Sequence, residues 1–294
     1  MTTTLTTTNP SSPSTPNESS EATMTTTTLT APATATRTPK VPTIGVIKAE
    51  WLKFWSVRST AVTLLAAGVA TVAFGMIFSA VADSEEAAPG PAALLSDPVD
   101  LALGGIGLSE MIIGVLGVMF VAGEYSTGLI RTAFAAVGKR GRVIRAKAAV
   151  LSASIFGVGL AAVTASVVLG QAVYAGSEAT SAVTDVLDVI LGTTFYLVGI
   201  GLIGAALGFI LRSTAGGIGT LVGGVFIGPN LLNLLPDSFT DVFMKYLPSE
   251  AGAAMMTQVS NPDLLSRGPA YAVFTAWVVG LLGLAGWLVK TRDA

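Results

Sequence analysis

Six stretches of this sequence are each long and apolar enough to cross a lipid bilayer. A transmembrane helix needs about 20 mostly apolar residues, and the windows that qualify are 60–82, 101–122, 148–174, 186–211, 216–235 and 270–289. Hydrophobic residues make up 51 % of the chain and charged residues 12 %, about half the charged share of a typical soluble domain. We therefore expect an all-α integral membrane protein with six transmembrane helices.

The basic residues are distributed unevenly between the two sides that six crossings define. The N-terminal segment, the second-to-third and fourth-to-fifth connections and the C-terminal tail together hold 14 of the 16 Lys and Arg residues. Loops rich in Lys and Arg stay on the cytoplasmic side. The pattern therefore predicts a multi-pass protein of the cell membrane with both termini in the cytoplasm.

Composition also limits the chemistry that this chain can perform. It contains no cysteine and no histidine, so we predict no disulfide, no catalytic residue and no metal site. The net charge of −2 gives no electrostatic basis for binding nucleic acid. Residues 1–40 are rich in Thr, Ser and Pro, and we expect a disordered leader before a transmembrane domain at 43–292.

An amphipathic segment precedes the first window. At 3.6 residues per turn, one stripe of the segment 44–58 carries the apolar residues Ile44, Ile47, Trp51, Phe54 and Trp55. Glu50 and Lys53 lie off this stripe. The pattern predicts an interfacial helix in contact with membrane lipid. The alternative is an ordinary aromatic and basic flank of the first span.

Three further features lie between the windows. The connection 123–147 starts with a glycine-punctuated polar run, continues through a short amphipathic segment and ends in the basic stretch 139–147. The connection 236–269 is predicted to hold a short external or re-entrant helix pair. Glu110 lies near the middle of the second window, where a carboxylate costs about 2.5–3.5 kcal/mol. It either faces a translocation pathway or pairs across the bundle, or the span is shifted and Glu110 lies near its outer end.

These features together resemble the transmembrane subunit of an ABC-2-type ABC transporter, of the half-size, six-span, type V exporter-like kind found in actinobacterial export systems. The resemblance covers about 43–292. It rests on the run Gly-Glu-Tyr-Ser-Thr-Gly-Leu-Ile-Arg at 123–131, on Lys-Tyr-Leu-Pro-Ser at 245–249, and on Lys-Ala-Glu-Trp-Leu-Lys at 48–53.

The resemblance implies a permease that moves a hydrophobic or amphipathic substrate, such as a drug, an antibiotic or a lipid, out of the cell. Its partners would be a dimer of ABC ATPase subunits and a second copy of this or a similar permease. The residues implied to form the coupling site with the ATPase are Glu124, Tyr125, Thr127, Gly128, Ile130, Arg131 and Phe134.

The chain itself lacks a phosphate-binding loop, so we predict that it binds no ATP and is not an enzyme on its own. In its one Gly-Lys pair, Gly138-Lys139, Arg140 follows where Ser or Thr is needed, and Ala133 stands where the first glycine should be. Two other functions stay open at this point. An ion-coupled secondary transporter would normally carry several buried ionisable groups or two broken helices, and a membrane scaffold or sensor would carry an added soluble domain.

Overall fold

A computed structural model describes residues 42–83, 97–174, 183–234, 236, 240, 243–257 and 264–292. All of them belong to one compact unit, Lys40–Ala294. The leader that we predicted to be disordered, residues 1–40, lies outside the described residues. Throughout the described ranges, the regular secondary structure is helical.

The α-helices of the described part are α1 (Thr43–Ser56), α2 (Arg58–Asp83), α3 (Pro98–Ala102), α4 (Ile106–Ser126), α5 (Leu129–Val137), α6 (Arg140–Val173), α7 (Val183–Leu211), α8 (Thr214–Leu221), α9 (Gly228–Leu232), α10 (Pro248–Met256) and α11 (Arg267–Thr291). A π-helical turn, Val222–Ile227, joins α8 to α9. A 3₁₀ turn, Met244–Tyr246, precedes α10.

Six helical segments of the described part are long and apolar enough to cross a membrane: Arg58–Ala82, Ile106–Ser126, Arg140–Val173, Val186–Leu211, Thr214–Leu232 and Arg267–Thr291. The fifth combines α8, the π-helical turn and α9. This result confirms the prediction of six membrane-spanning helices. The chain is a multi-pass, all-helical membrane protein.

The second window begins later than predicted. We expected a span at 101–122, but α3 ends at Ala102 and the spanning helix α4 begins at Ile106. Two glycines between them lie against α2: a Cβ on Gly104 would collide with the ring of Phe78, and one on Gly105 would collide with backbone carbonyls of α2. The chain turns at this close approach, and the second span therefore starts and ends later in the sequence than predicted.

The third window begins earlier than predicted. We placed 139–147 in a loop, but α6 starts at Arg140 and runs for 34 residues, a length of about 50 Å at 1.5 Å per residue. The basic stretch is therefore the first two turns of a helix that is longer than a bilayer core is thick. Apolar residues between the charges, among them Val143 and Ile144, are buried and hold these turns against the bundle.

The fifth span is irregular. The widened π-helical turn Val222–Ile227 comes directly before Gly228-Pro229. Proline has no N–H to donate and clashes with the turn before it, and π turns often occur where a helix must accommodate such a defect. In the connection 236–269 the described residues include the 3₁₀ turn and α10. Residues 237–239 and 241–242 lie outside the described residues, so the predicted helix pair stays a prediction.

Helix α7 forms the centre of the bundle. It packs against α4, α6 and α11, and α2 packs against α4 and α6 on the other side. Close packing of α4 and α7 depends on small residues. A Cβ on Gly117 or on Gly204 would collide with the backbone of the facing helix. Gly201 and Gly208 of α7 also pack closely against neighbouring helices.

Candidate functional site

A cluster of four charged side chains joins three helices at the end of the bundle where α4 finishes and α6 begins. We call Glu50 and Lys53 of α1, Glu124 of α4 and Lys147 of α6 the Glu124 cluster. The Lys147 ammonium donates to Glu50 Oε2 at 2.8 Å and to Glu124 Oε1 at 2.5 Å. Lys53 Nζ also donates to Glu124 Oε1. The four side chains carry two positive and two negative charges, so the cluster is neutral.

Lys147 is the most deeply buried member of the cluster, with only 1 % of its side chain exposed. Its Nζ lies 4.4 Å from the ring centroid of Phe120, and Phe120 meets Phe54 edge to face at 5.2 Å. These aromatic rings cover the Lys147 ammonium. A buried ammonium is tolerated only when it is fully paired, so the three helices must keep their relative positions for Lys147 to stay paired.

Helical spacing in α1 places Glu50 in this cluster. Val46, Glu50 and Phe54 lie four residues apart and are the buried residues of the helix. Glu50 was predicted only to lie off the lipid-facing stripe; its carboxylate lies between two apolar neighbours and faces α6. Sequence reasoning missed Lys147 as well, because it assigned that residue to a solvated basic loop.

The predicted interfacial stripe is divided between the protein and its outer surface. Phe54 is buried and Ile47 is half-buried. Ile44, Trp51 and Trp55 are exposed to 61 %, 41 % and 37 %. Two exposed tryptophans next to a basic helix end are typical of a membrane interface. The amphipathic helix at this position thus has one face on the bundle and another face available to lipid.

The predicted coupling residues surround α5, a nine-residue helix next to the Glu124 cluster. Left-handed glycines bracket it, Gly128 at φ 74° and Gly138 at φ 69°, and these φ values favour glycine over all other residues. Ile130 and Phe134 are buried against the bundle. Leu129, Arg131 and Thr132 are exposed. The helix therefore anchors itself by Ile130 and Phe134 and presents outward a mixed face with one charged residue, Arg131.

The remaining predicted coupling residues lie at the end of α4. Glu124 is buried within the cluster, so its carboxylate holds α4 to α1 and α6 rather than facing outward. The Thr127 hydroxyl donates to the Gly123 carbonyl at 3.0 Å and caps the helix end. The Tyr125 ring packs edge to face on Phe209 of α7, with 6.4 Å between the centroids.

A second polar group lies at the opposite end of the bundle. Glu110 is one turn into α4, so our placement near the middle of the span is wrong, and the interpretation that puts it near the end of a shifted span agrees with the helix bounds. Glu110 is half-buried and forms a hydrogen bond with the hydroxyl of Tyr196, a buried residue of α7. Its role in a translocation pathway stays a prediction.

The same end carries a chain of polar contacts between helix termini. The Thr257 hydroxyl donates to Asp100 Oδ2 at 3.1 Å, and Arg267 Nη2 donates to the Thr257 carbonyl at 3.0 Å. Burial raises the pKa of Asp100 to about 6; the Thr257 hydrogen bond opposes this shift and the nearby Asp97 adds to it. Burial also raises the pKa of Glu250 in α10.

No group of three metal-ligating side chains occurs among the described residues. Comparison with known proteins leaves the chain without an assigned family, since no protein-family model matches it and no curated protein is significantly similar to it.

Proposed function

We propose that this chain is the permease subunit of an ATP-driven ABC exporter of the ABC-2 type, with ATP hydrolysed by a separate subunit. The observation that carries the proposal is the position of α5. It is a short amphipathic helix that exposes Leu129, Arg131 and Thr132 beside the Glu124 cluster. A partner that binds this face would pull on α1, α4 and α6 together.

The charge distribution supports the orientation that this function requires. The residues around α5, the start of α6 and the end of α11 are strongly basic, whereas Asp97, Asp100, Glu110 and Glu250 lie toward the other end. Under the positive-inside rule the α5 end is cytoplasmic. A cytoplasmic ATPase subunit would then meet α5 directly, and both termini would lie on that side of the cell membrane.

The absence of a phosphate-binding loop from the sequence explains why the motor must be a second polypeptide. In the proposed mechanism, ATP binding closes a dimer of ATPase subunits, which displaces α5. The Glu124 cluster passes this displacement to three helices at once, and two permease copies rock to open an outward pathway. The energy comes from the different ATP affinities of the two ATPase states. The apolar spans suit a hydrophobic or amphipathic substrate.

Co-purification from native membranes tests the proposal. The tagged chain should bring down a protein that contains a Walker A motif. Leu129→Asp and Arg131→Glu, on the exposed face of α5, should each reduce its recovery at least tenfold. Lys290→Glu, a matched charge reversal at the end of α11, should leave it unchanged. The proposal fails if no Walker A protein is recovered with the wild-type chain, or if the α5 variants retain it as well as Lys290→Glu does.

A further inference from the structure

The joint between α7 and the fifth span has an unusual backbone. Only Arg212 and Ser213 separate the end of α7 at Leu211 from the start of α8 at Thr214. Arg212 has φ 52°, and it is the one non-glycine residue with a positive φ in the part of the chain that the structure describes. Residues other than glycine adopt this left-handed conformation at an energetic cost, and they keep it only where surrounding contacts hold them.

One contact that holds Arg212 comes from the last turn of α4. The guanidinium carbon of Arg212 lies 5.4 Å from the ring centroid of Tyr125, within the range of a cation–π interaction. Tyr125 is in turn fixed by its edge-to-face contact with Phe209. Arg292, at the end of α11, donates to the Ile210 carbonyl at 3.2 Å and caps the same end of α7.

Tyr125 therefore lies between two functional elements. On one side it directly follows Glu124 and precedes the left-handed Gly128 that begins α5. On the other side it touches the residue from which the fifth span starts. A displacement of α5 that rotates the end of α4 moves the Tyr125 ring. The ring contacts Arg212, which lies at the joint between α7 and the fifth span.

The fifth span is built to respond to such a movement. At its start, Gly217 and Leu221 pack against Val118 and Gly114 of α4. Beyond Leu221 the helix widens into the π-helical turn, and a Cβ on Gly223 or Gly224 would meet open space. One half of the span thus follows α4. In the other half Val225 and Pro229 are buried, while Gly223 and Gly224 leave open space beside the π-helical turn.

We propose that the Tyr125–Arg212 contact transmits the displacement of α5 to the fifth span, with Arg212 as a positioning residue. This inference rests on the proposed function, because it assumes that a partner moves α5. The left-handed backbone at Arg212 depends on the contacts around it, and the Tyr125 ring provides one of them.

Distances between spin labels test the contact in the protein alone. The chain has no cysteine, so Ala136→Cys on α5 and Thr220→Cys on α8 provide two unique and exposed label sites. Thr220 precedes the π-helical turn and therefore reports on the joint itself. We expect one narrow distance population in lipid nanodiscs. A second population should appear in Arg212→Gly, where glycine still permits the left-handed backbone and preserves the fold, and in Tyr125→Leu.

Tyr125→Phe is the matched control, since it keeps the aromatic face and should retain the single population. A second label pair, Ala136→Cys with Phe156→Cys on α6, does not cross the contact and should not change in any variant. The inference is overturned if Arg212→Gly and Tyr125→Leu keep the single population. It is also overturned if the control pair shifts with them, because α5 as a whole would then have moved.

A second arm separates this inference from the proposed function. With the co-purified ATPase present, adding ATP should shift the Ala136–Thr220 distance in the unsubstituted background. The shift should be lost in Arg212→Gly although ATPase recovery is unchanged. If the shift persists in Arg212→Gly, the Tyr125–Arg212 contact does not transmit the displacement of α5, and only the inference fails. If no ATPase co-purifies, the proposed function fails, and the first arm still decides whether the contact holds the joint.

Discussion

Lys147→Met removes the central cation of the Glu124 cluster, and we expect it to destabilise the protein more than any other single charge removal in the described chain. Lys147 is 1 % exposed and bonds to carboxylates at 2.8 and 2.5 Å. Without it, Glu50 loses the one cation with which it pairs among the described residues. Removing one partner of a buried ion pair costs about 3–5 kcal/mol, because the other charge stays buried and unpaired.

The cost should appear in thermal unfolding of the detergent-solubilised protein. For a chain of this size, a loss of about 3 kcal/mol lowers Tm by roughly 6–12 °C. Lys48→Met is the matched control: Lys48 lies on the same α1 helix and is exposed, so its removal should change stability by less than about 0.5 kcal/mol.

A double variant shows whether the buried charge is the cause. Adding Glu50→Gln to Lys147→Met removes the uncompensated carboxylate and leaves the Glu124–Lys53 pair, so about 2 kcal/mol or more should be recovered. A Lys147→Met variant that unfolds like the wild-type protein, or a double variant less stable than the single one, would show that the unpaired buried carboxylate is not the cause.

Two further predictions concern the opposite end of the bundle and its centre. Because burial raises the pKa of Asp100 from 3.8 to about 6, the folded state holds this proton more tightly than the unfolded state does. The stability that protonated Asp100 contributes should be complete below pH 3.8 and lost as the pH rises to about 6. Asp100→Asn should flatten that part of a profile of Tm against pH. An unchanged profile would contradict this expectation. Gly117→Ala should lower the unfolding free energy by about 1–3 kcal/mol, because its Cβ meets the α7 backbone. Gly107→Ala, with open space around it, should be neutral in the same unfolding assay. Equal effects of the two variants would contradict the packing described for α4 and α7.

The six spans could be predicted from sequence because membrane insertion is decided by local composition. Each span needs only a long enough apolar run, and the run is visible without any tertiary contact. The span boundaries could not be predicted equally well. The start of α4 depends on how closely Gly105 approaches α2, and the start of α6 depends on the buried partners of Lys147, so both are set by contacts between distant parts of the chain.

The candidate site was predictable in its place but not in its internal arrangement. Glycine spacing and amphipathicity located α5 correctly. The inward direction of Glu50 could not be predicted, because the sequence pattern does not distinguish a buried carboxylate from a solvent-exposed polar residue outside the apolar stripe. Its neighbours Val46 and Phe54, each four residues away, were the available signal. Nothing local indicates the left-handed conformation of Arg212, since an arginine gives no hint of positive φ.

Site-specific photocrosslinking in native membranes tests most directly whether a separate ATPase binds the exposed face of α5. A benzophenone amino acid at Leu129, which is 50 % exposed on α5, should crosslink to a Walker A protein. The same group at Phe156, which is 47 % exposed in the middle of α6, should not. If the Leu129 position yields no crosslink to an ATP-binding protein, or if both positions yield the same products, the proposed function is contradicted.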